Sequence, residues 1–483
     1  MPEIYELDEA GKLTSTYVET INNEGKTRID VIFPNDGKSP WQKLLDVFLP
    51  AGYPHSVTED YLEYQIYDSL QAFASSIAGL LSNRAVLEGV GVGDASTTPN
   101  YAILLSILQE AAGRITTILF AHRLGKAIEP ECKTYRLAAD VFNDAAMVLD
   151  CLSPIFPRPF RVIVFSASSM LRSLCGVAAG SAKASLSAHF ARWGNLGELN
   201  AKDASQETVI SLLGMLAGSL VVSRITTPLA TWASLIVLLV LHLMLNTLAV
   251  RAVCMRTLNR QRAGLVFQHL IAPKNASMGV PSPAHIAACE YIFYPSSTLF
   301  LPVSAVTASS TSKRLAKAHI GVPLITLLSS LAPANQATLS HFPRISISTL
   351  LEVFDSQNYI LWPHPSTNTY LIILKRGCTP IDQIKAWWHA CLLEHMRHQQ
   401  REKQPVTKSE VKLETVSSAE DAVLERLRQS LEQLNSKFME WVAELRVKGW
   451  DLDTAALETR TSVRIDVSGH SERAKKVDFE KYS

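Results

Sequence analysis

The sequence contains few cysteines and no motif that pairs them. Its seven cysteines are scattered over 483 residues, and none forms a Cys-x-x-Cys pair. This pattern gives no support for a zinc site or a disulfide framework, so we expect reduced thiols in an intracellular compartment. His389, His395 and His398 crowd one predicted helix without the His-Glu-x-x-His spacing of zinc proteases, which predicts a solvated helix end and no metal.

An excess of charge of one sign is also lacking. Lys and Arg number 46 against 45 Asp and Glu, and this net charge of +1 gives no general attraction to nucleic acid. The first 40 residues are polar and acidic, with neither an apolar signal core nor an arginine-rich transit pattern. We therefore interpret residues 1–44 as a polar leader with one short strand at 28–33.

No stretch carries a complete catalytic or phosphate-binding motif. The glycine-rich loop from Gly89 to Asp94 lacks the Lys-Ser/Thr of a phosphate loop, and a predicted helix precedes it where a dinucleotide loop needs a strand. Ser310–Lys313 has a Ser-x-x-Lys spacing without the motifs that accompany it in β-lactamases. We predict that the protein is not an enzyme and binds no cofactor.

The strongest positive feature is a long block without charge. No Asp, Glu, Lys or Arg lies between Arg224 and Arg251, and 17 of the 22 residues from Leu229 to Val250 are apolar. As a helix these residues extend about 33 Å, enough to cross a hydrocarbon core of about 30 Å. We predict a transmembrane helix over 229–250; the alternative is a buried helix of a large soluble bundle. Arginines follow the block closely, so its carboxyl side is predicted to be cytosolic.

The region around this block, 45–262, is predicted to be a helical domain with an internal pseudo-repeat. Two loops, Gly89–Ser96 and Asn200–Ser205, end in Asp-Ala-Ser and lead into apolar helices, with a period of roughly 100 residues. The alternative is a chance similarity between helices rich in small residues. The other long helices carry charges, so they cross a membrane only if those charges face the interior of a bundle.

Polar side chains of the helical region form the candidate functional set. A charge inside a membrane is costly unless it is paired, and paired charges within a bundle often line a substrate path. The alternative is that these residues form loop caps and interfacial ion pairs. The candidates are Asp68, Arg84, Asp94, Arg114, Asp140, Asn143, Asp144, Lys183, Lys202, Asp203, Gln206 and Glu207.

The chain changes character after residue 262. Residues 263–284 are predicted to be an irregular linker, and 285–400 a small α/β domain, because short aromatic and β-branched runs favour strands. Residues 401–418 form a charged linker, and 419–483 an amphipathic helix and tail.

A heptad pattern marks the last predicted helix. Such a seam either docks on its own protein or pairs with a protein partner or a second copy of the chain. The seam residues are Leu424, Leu427, Leu431, Leu434, Phe438, Trp441 and Leu445.

Several of these segments resemble the root UVB-sensitive family. The resemblance is carried by Phe48–Pro54, by Arg84–Leu87 and, most specifically, by Asn200–Thr208, and it covers about residues 45–260 with a weaker match over 285–395. It implies membrane association and a role in vitamin B6 homeostasis, with no established enzymatic activity.

The sequence therefore predicts a mainly α fold, in which a membrane-associated helical bundle is followed by a small α/β domain and a C-terminal heptad helix. The predicted function is non-enzymatic support of small-molecule transport or homeostasis. The predicted setting is an intracellular membrane, with the lipid bilayer as a partner and the C-terminal domain in the cytosol. The alternatives are a membrane-anchored interaction scaffold and an enzyme linked to pyridoxal phosphate.

Overall fold

The chain is described from a computed structural model and divides into two compact units, Met1–Cys254 and Met255–Ser483. Within the described residues it has twelve helices and two small sheets, which confirms the mainly α class. The described residues are 3–7, 13–21, 27–32, 47–90, 99–271, 279–295, 297–299, 316–331, 346–364, 367–403, 416–460 and 462–467.

The first unit opens with an antiparallel sheet. Its strands, β1 (Glu3–Leu7), β2 (Leu13–Ile21) and β3 (Thr27–Ile32), lie in the order β1-β2-β3. The sequence predicted a polar leader with a single strand, so β1 and β2 were missed. Both strands mix apolar residues with Glu, and β2 also contains Ser and Thr, so neither has a continuous apolar run that would reveal it.

Six long helices form the rest of the first unit. The central one is α1, which packs against α3, α5 and α6, while α4 packs against α2 and α3. Pro228 begins α6, and the Thr227 hydroxyl accepts the amide of Ala230 at 3.3 Å, a cap that fixes where this helix starts. The six are α1 (Tyr61–Val90), α2 (Pro99–Ile128), α3 (Cys132–Leu152), α4 (Arg158–Phe190), α5 (Leu196–Arg224) and α6 (Pro228–Ala252).

The second loop of the predicted pseudo-repeat does not exist. Asn200–Ser205 lies inside α5, which begins at Leu196. The sequence predicted a loop at Asp203 because aspartate is common in loops. In the structure, side chains of two neighbouring helices bind its carboxylate, so Asp203 is accommodated within the helix. Of the first loop, Gly89 and Val90 belong to the end of α1, and the rest, with Asp94, lies in residues 91–98, outside the described residues.

Two glycines let α5 approach α1 closely. A Cβ built on Gly214 would lie 2.7 Å from the Ser76 Cβ, and one on Gly218 would lie 2.7 Å from the Leu80 Cδ1. Any larger side chain would push the helices apart, so the small-residue spacing serves backbone packing, as it does in membrane bundles.

The outer faces of the first unit are apolar. Leu104 of α2, Leu220 of α5 and Val240 of α6 are 67%, 70% and 62% exposed. By length and composition, four helices in the described residues could cross a membrane: α2, α4, α5 and α6. The span predicted at 229–250 lies within α6, and three further helices qualify by length and composition, although α2 carries the exposed pair Glu110 and Arg114 near its middle.

The second unit is an α/β fold around a four-stranded sheet. The strand order is β4-β6-β5, with β7 also paired to β6; β4 and β7 run parallel to β6 and β5 runs antiparallel. The strands are β4 (Lys317–Ile320), β5 (Tyr359–His364), β6 (Thr369–Lys375) and β7 (Arg464–Ile465). The helices are α7 (Arg260–Ile271), α8 (Pro283–Cys289), α9 (Leu324–Leu331), α10 (Ile347–Val353), α11 (Pro380–Lys403) and α12 (Val416–Val447).

The stretch predicted as a linker, 263–284, supplies part of this unit's core instead. Ala263, Val266 and Phe267 of α7 are buried, and Trp388 of α11 donates its indole N–H to the Ala263 carbonyl at 2.8 Å. The short run Ala-Gly-Leu-Val-Phe is buried on all sides, so it shows no amphipathic period to identify it as a helix.

The heptad seam of α12 docks onto its own unit. Leu427, Leu434 and Leu445 are fully buried in the core that also contains Trp387 and Trp388. This is the self-docking alternative of the sequence analysis. The seam is therefore occupied within the chain and would have to be uncovered before it could form a coiled coil.

His389 is buried rather than solvated. Its Nδ1 lies 3.0 Å from the Tyr359 hydroxyl and its Nε2 lies 2.8 Å from the Ser430 hydroxyl. Burial, helped by the charge of Lys385, lowers the pKa of His389 to about 3. The prediction of a solvated helix end is wrong at this position, because α12 covers the part of α11 that contains His389.

Candidate functional site

A set of seven polar side chains meets between α1, α3 and α6, and we call it the inner network. Each is at most 6% exposed. Spacings of three or four residues place the members from each helix on one face, where they point at one another. The members are Asp68 and Gln71 of α1, Arg136, Asp140 and Asp144 of α3, and His242 and Asn246 of α6.

Arg136 holds two carboxylates in the inner network. Its Nη2 donates to Asp68 Oδ1 at 2.6 Å and its Nη1 donates to Asp140 Oδ1 at 2.9 Å. Gln71 Nε2 also donates to Asp68 Oδ1, at 3.2 Å. Charges this deeply buried are tolerated only as pairs with good geometry, so Arg136 is the residue on which both carboxylates depend.

His242 joins α6 to both other helices. Its Nδ1 lies 2.7 Å from Asp144 Oδ1, and its Nε2 lies 2.7 Å from Gln71 Oε1. Asn246 Nδ2 donates to Asp140 Oδ2 one turn further along. Since both ring nitrogens face oxygen acceptors, His242 and Asp144 must hold two protons between them, either as an ion pair or as a neutral pair.

Three buried atoms of the inner network have no protein partner among the described residues. They are Arg136 Nε, Asp144 Oδ2 and Asn246 Oδ1. Buried polar atoms are nearly always hydrogen-bonded, so each exception calls for an explanation. One donor and two acceptors of the inner network are therefore unpaired among the described residues.

A second group, the Lys183 cluster, connects α4 and α5. Lys183 Nζ lies 2.7 Å from Asp203 Oδ2 and 2.8 Å from Glu207 Oε2, and Gln65 Nε2 of α1 donates to Asp203 Oδ1 at 2.9 Å. Glu207 is more than half exposed, so this cluster reaches the surface. It is an interfacial ion pair of the kind that the alternative interpretation predicted.

Two neighbours of this cluster hold the segment before α1. Gln206 Nε2 donates to the Phe48 carbonyl at 2.6 Å, and Lys202 Nζ donates to the Val47 carbonyl at 2.8 Å. Lys202 and Gln206 belong to the Asn200–Thr208 motif of the resemblance, and Phe48 begins the Phe48–Pro54 motif, which Val47 directly precedes. The two motifs therefore lie next to each other in the structure, and side chains of α5 donate hydrogen bonds to backbone carbonyls of the segment before α1.

The remaining candidates lie outside both groups. Arg84 pairs with Glu88 and donates to the Ile225 carbonyl, and Arg114 forms an exposed pair with Glu110. Asn143 Nδ2 donates to the Ser75 hydroxyl at 3.4 Å. Asp94 lies outside the described residues, so of the twelve candidates three, Asp68, Asp140 and Asp144, belong to the inner network.

Asp60 fixes the ends of three helices beside the inner network. Its Oδ2 accepts the Cys254 amide at 2.7 Å and lies 2.9 Å from His189 Nε2. Burial opposes ionisation of Asp60, but the hydrogen bond and charge of His189 and the Cys254 amide outweigh it and lower its pKa to about 2. The start of α1 is thereby tied to the ends of α4 and α6.

Sequence reasoning missed four members of the inner network: Gln71, Arg136, His242 and Asn246. His242 and Asn246 could have been found, because they lie four residues apart in the most apolar helix and so share one face. The candidate set has no residue from this helix, because no Asp, Glu, Lys or Arg lies between Arg224 and Arg251. Arg136 could have been found from its spacing of four from Asp140.

Comparisons with known proteins identify the family. The sequence profile described as "Vitamin B6 photo-protection and homoeostasis domain" matches residues 34–274, and the profile "Root UVB sensitive protein, C-terminal" matches residues 312–461. Protein root UVB sensitive 3 of Arabidopsis thaliana is 33% identical over 362 residues, covering 74% of this chain and 76% of that protein. The chain belongs to the root UVB-sensitive family.

Other family members match over different shares of their length. RUS family member 1 of Dictyostelium discoideum is 40% identical over 254 residues, which is 52% of this chain and 48% of that protein. The chain thus matches about half the length of this relative. Protein root UVB sensitive 2, chloroplastic, of Arabidopsis thaliana is 24% identical over 85% of this chain and 82% of that protein. No solved structure matches the chain significantly.

Proposed function

We propose that the protein is a membrane-embedded, non-enzymatic member of its family, whose helical unit supports the transport or homeostasis of a polar small molecule related to vitamin B6. The observation that carries this proposal is the inner network, a charged centre enclosed by helices that expose apolar side chains on their outer faces. In water such outer faces are unfavourable, whereas in lipid they are the expected surface.

The two faces of α6 support lipid contact. Leu235, Leu239, His242 and Asn246 are buried, while the opposite face, including Val240, exposes apolar side chains. An outward apolar face with polar groups directed inward is the arrangement of a helix in a membrane bundle. The family profile of this region supplies the link to vitamin B6.

A buried charged network in lipid is costly, and each isolated charge costs about 2.5–3.5 kcal/mol at the centre of a spanning helix. Charged residues inside membrane bundles commonly mark the path of a substrate or an ion. The unpartnered Arg136 Nε, Asp144 Oδ2 and Asn246 Oδ1 offer the donors and acceptors that the hydroxyls and ring nitrogen of a B6 vitamer would use.

The proposed setting is an intracellular membrane, with the bilayer as a partner and the second unit in the cytosol. Arg251 lies in the last turn of α6 and Arg256, Arg260 and Arg262 follow the helix, while among the residues just before it only Arg224 is positively charged. This asymmetry is the one that the positive-inside rule associates with a cytosolic carboxyl side.

Flux through reconstituted vesicles tests the function. The purified protein is expected to accelerate uptake of at least one B6 vitamer into liposomes. His242→Ala is expected to reduce that uptake by about tenfold or more, because it leaves Asp144 and Gln71 without their shared partner. Uptake is measured with radiolabelled vitamers against protein-free liposomes.

His122→Ala is the matched control, since His122 is an exposed histidine on α2 and its loss should leave uptake unchanged. Size-exclusion chromatography shows whether each variant is folded. The absence of uptake for all vitamers would overturn the transport proposal and favour the interaction scaffold. Normal uptake by folded His242→Ala would show that the inner network is not the path.

A further inference from the structure

The inner network contains more acidic than basic side chains. Its three carboxylates are Asp68, Asp140 and Asp144, and its permanent cation is Arg136. Even with the His242 ring protonated, three negative charges meet only two positive ones. An uncompensated charge is costly inside a helical bundle, so we expect a further cation to balance it.

Two neighbouring cations on α4, Lys183 and Arg172, are already engaged. Lys183 is bound by two carboxylates of α5, and Arg172 pairs with Asp150 near the end of α3. The other titratable groups close to the network are the Cys175 thiol of α4 and the Tyr64 hydroxyl of α1, which bring no positive charge. α6 has no charged residue before its last turn. The balancing cation therefore has to come from outside the network.

One oxygen of the inner network is free to bind that cation. Asp144 is 5% exposed, its Oδ1 lies 2.7 Å from His242 Nδ1, and its Oδ2 has no hydrogen-bond partner among the described residues. A proton needs only one oxygen, whereas a metal ion needs several ligands. The described residues contain no set of three or more His, Cys, Asp or Glu side chains that could hold a metal ion. The proton is therefore the cation that fits Asp144 Oδ2.

His242 is held in a way that fixes its own protons. Its Nε2 lies 2.7 Å from Gln71 Oε1 and 3.7 Å from Asp140 Oδ2. Gln71 cannot turn its amide to offer an N–H instead, because its Nε2 already donates to Asp68 Oδ1. If the His242–Asp144 pair lost one of its two shared protons, two acceptors would face each other without a hydrogen between them. The proton that exchanges is therefore a third one, on Asp144 Oδ2.

We propose that the helical unit exchanges protons for a cationic vitamer, and that Asp144 Oδ2 binds the two alternately. This inference rests on the proposed function and adds its driving force. A proton on Oδ2 neutralises the network, and a vitamer with a protonated ring nitrogen or amine brings the same charge and an N–H that can donate to the same oxygen. Arrival of the vitamer therefore releases the proton. One proton crosses the membrane in the opposite direction to each vitamer.

Vitamer uptake under an imposed pH gradient tests this exchange. Liposomes with the full-length protein are prepared with an interior about one pH unit more acidic than the outer solution, and receive radiolabelled pyridoxine, pyridoxal or pyridoxamine. Exchange of one proton per vitamer should drive accumulation to about tenfold over the outer concentration, since one pH unit is a tenfold ratio of protons. Protein-free liposomes under the same gradient measure passive trapping. Nigericin, which collapses the gradient, should abolish the accumulation.

Substitutions at Asp144 test which atom binds the proton. Asp144→Asn should remove the response to the gradient, because an amide cannot exchange a proton there, whereas Asp144→Glu keeps a carboxyl and should retain part of the response. Glu110→Gln is the matched control, since Glu110 is an exposed carboxylate on α2 outside the inner network, and it should respond as the unchanged protein does. Size-exclusion chromatography shows whether each variant is folded.

The outcomes separate this exchange from the proposed function. Vitamer uptake that is equal with and without the pH gradient would overturn proton exchange and leave the proposed transport intact. No uptake of any of the three vitamers would overturn both. A full gradient response in folded Asp144→Asn, or accumulation driven by a sodium gradient instead, would overturn the role given to Asp144.

Discussion

Arg136→Met is expected to destabilise the protein by about 3–5 kcal/mol, the loss typical when one partner of a buried ion pair is removed. Arg136 lies between Asp68 and Asp140 at 2.6 and 2.9 Å, and all three side chains are almost fully buried. Without the guanidinium, two carboxylates remain in an apolar bundle and must either take up protons or draw in water. The measurement is the free energy of unfolding in mixed detergent micelles.

Arg114→Met provides the comparison, because Arg114 forms an exposed pair with Glu110 on α2. Exposed pairs contribute about 0–1 kcal/mol, so this variant should unfold almost as the unchanged protein does. An additional Asp68→Asn substitution should recover part of the stability lost in Arg136→Met, since it removes one of the orphaned charges. Equal, small effects of both arginine substitutions would contradict the inner network as described.

Val240→Lys is expected to impair membrane insertion or folding, because Val240 lies at the middle of α6 and is 62% exposed on its apolar face. A lysine at the centre of a spanning helix costs about 2.5–3.5 kcal/mol. The same substitution on the surface of a water-soluble protein would be close to neutral. The expected result is a lower yield of folded, membrane-inserted protein, measured by fluorescence size-exclusion chromatography of detergent extracts.

Met439→Lys is the matched control for this substitution. Met439 is 69% exposed on α12 in the second unit, where the proposal places water. Its replacement should leave the yield unchanged. If Val240→Lys were tolerated as well as Met439→Lys, the outer face of α6 would be in contact with water.

Local patterns in the sequence predicted the features that depend on local composition. The apolar helix at 229–250 was visible because a charge-free block can be recognised without knowledge of its neighbours, and the structure places these residues inside α6. The self-docking seam of α12 was visible for a similar reason, since a heptad shows which face is buried. The family resemblance rested on short motifs, and the comparisons confirm the family.

The inner network could not be derived in this way. Asp68 and Arg136 are 68 residues apart, and His242 meets Gln71 across 171 residues. A helical period shows that a side chain faces inward but does not show which helix it will meet. The helix α7 was missed for a different reason. A short helix that is buried on all sides has no exposed polar face, so its sequence does not show the helical period.

Alkaline carbonate extraction of cell membranes tests the proposed membrane embedding most directly. The apolar outer faces of α2, α4, α5 and α6 predict that the full-length protein stays in the membrane pellet and is released only by detergent. Release into the carbonate supernatant, with a monodisperse protein in detergent-free buffer, would contradict embedding in the bilayer and, with it, the proposed transport.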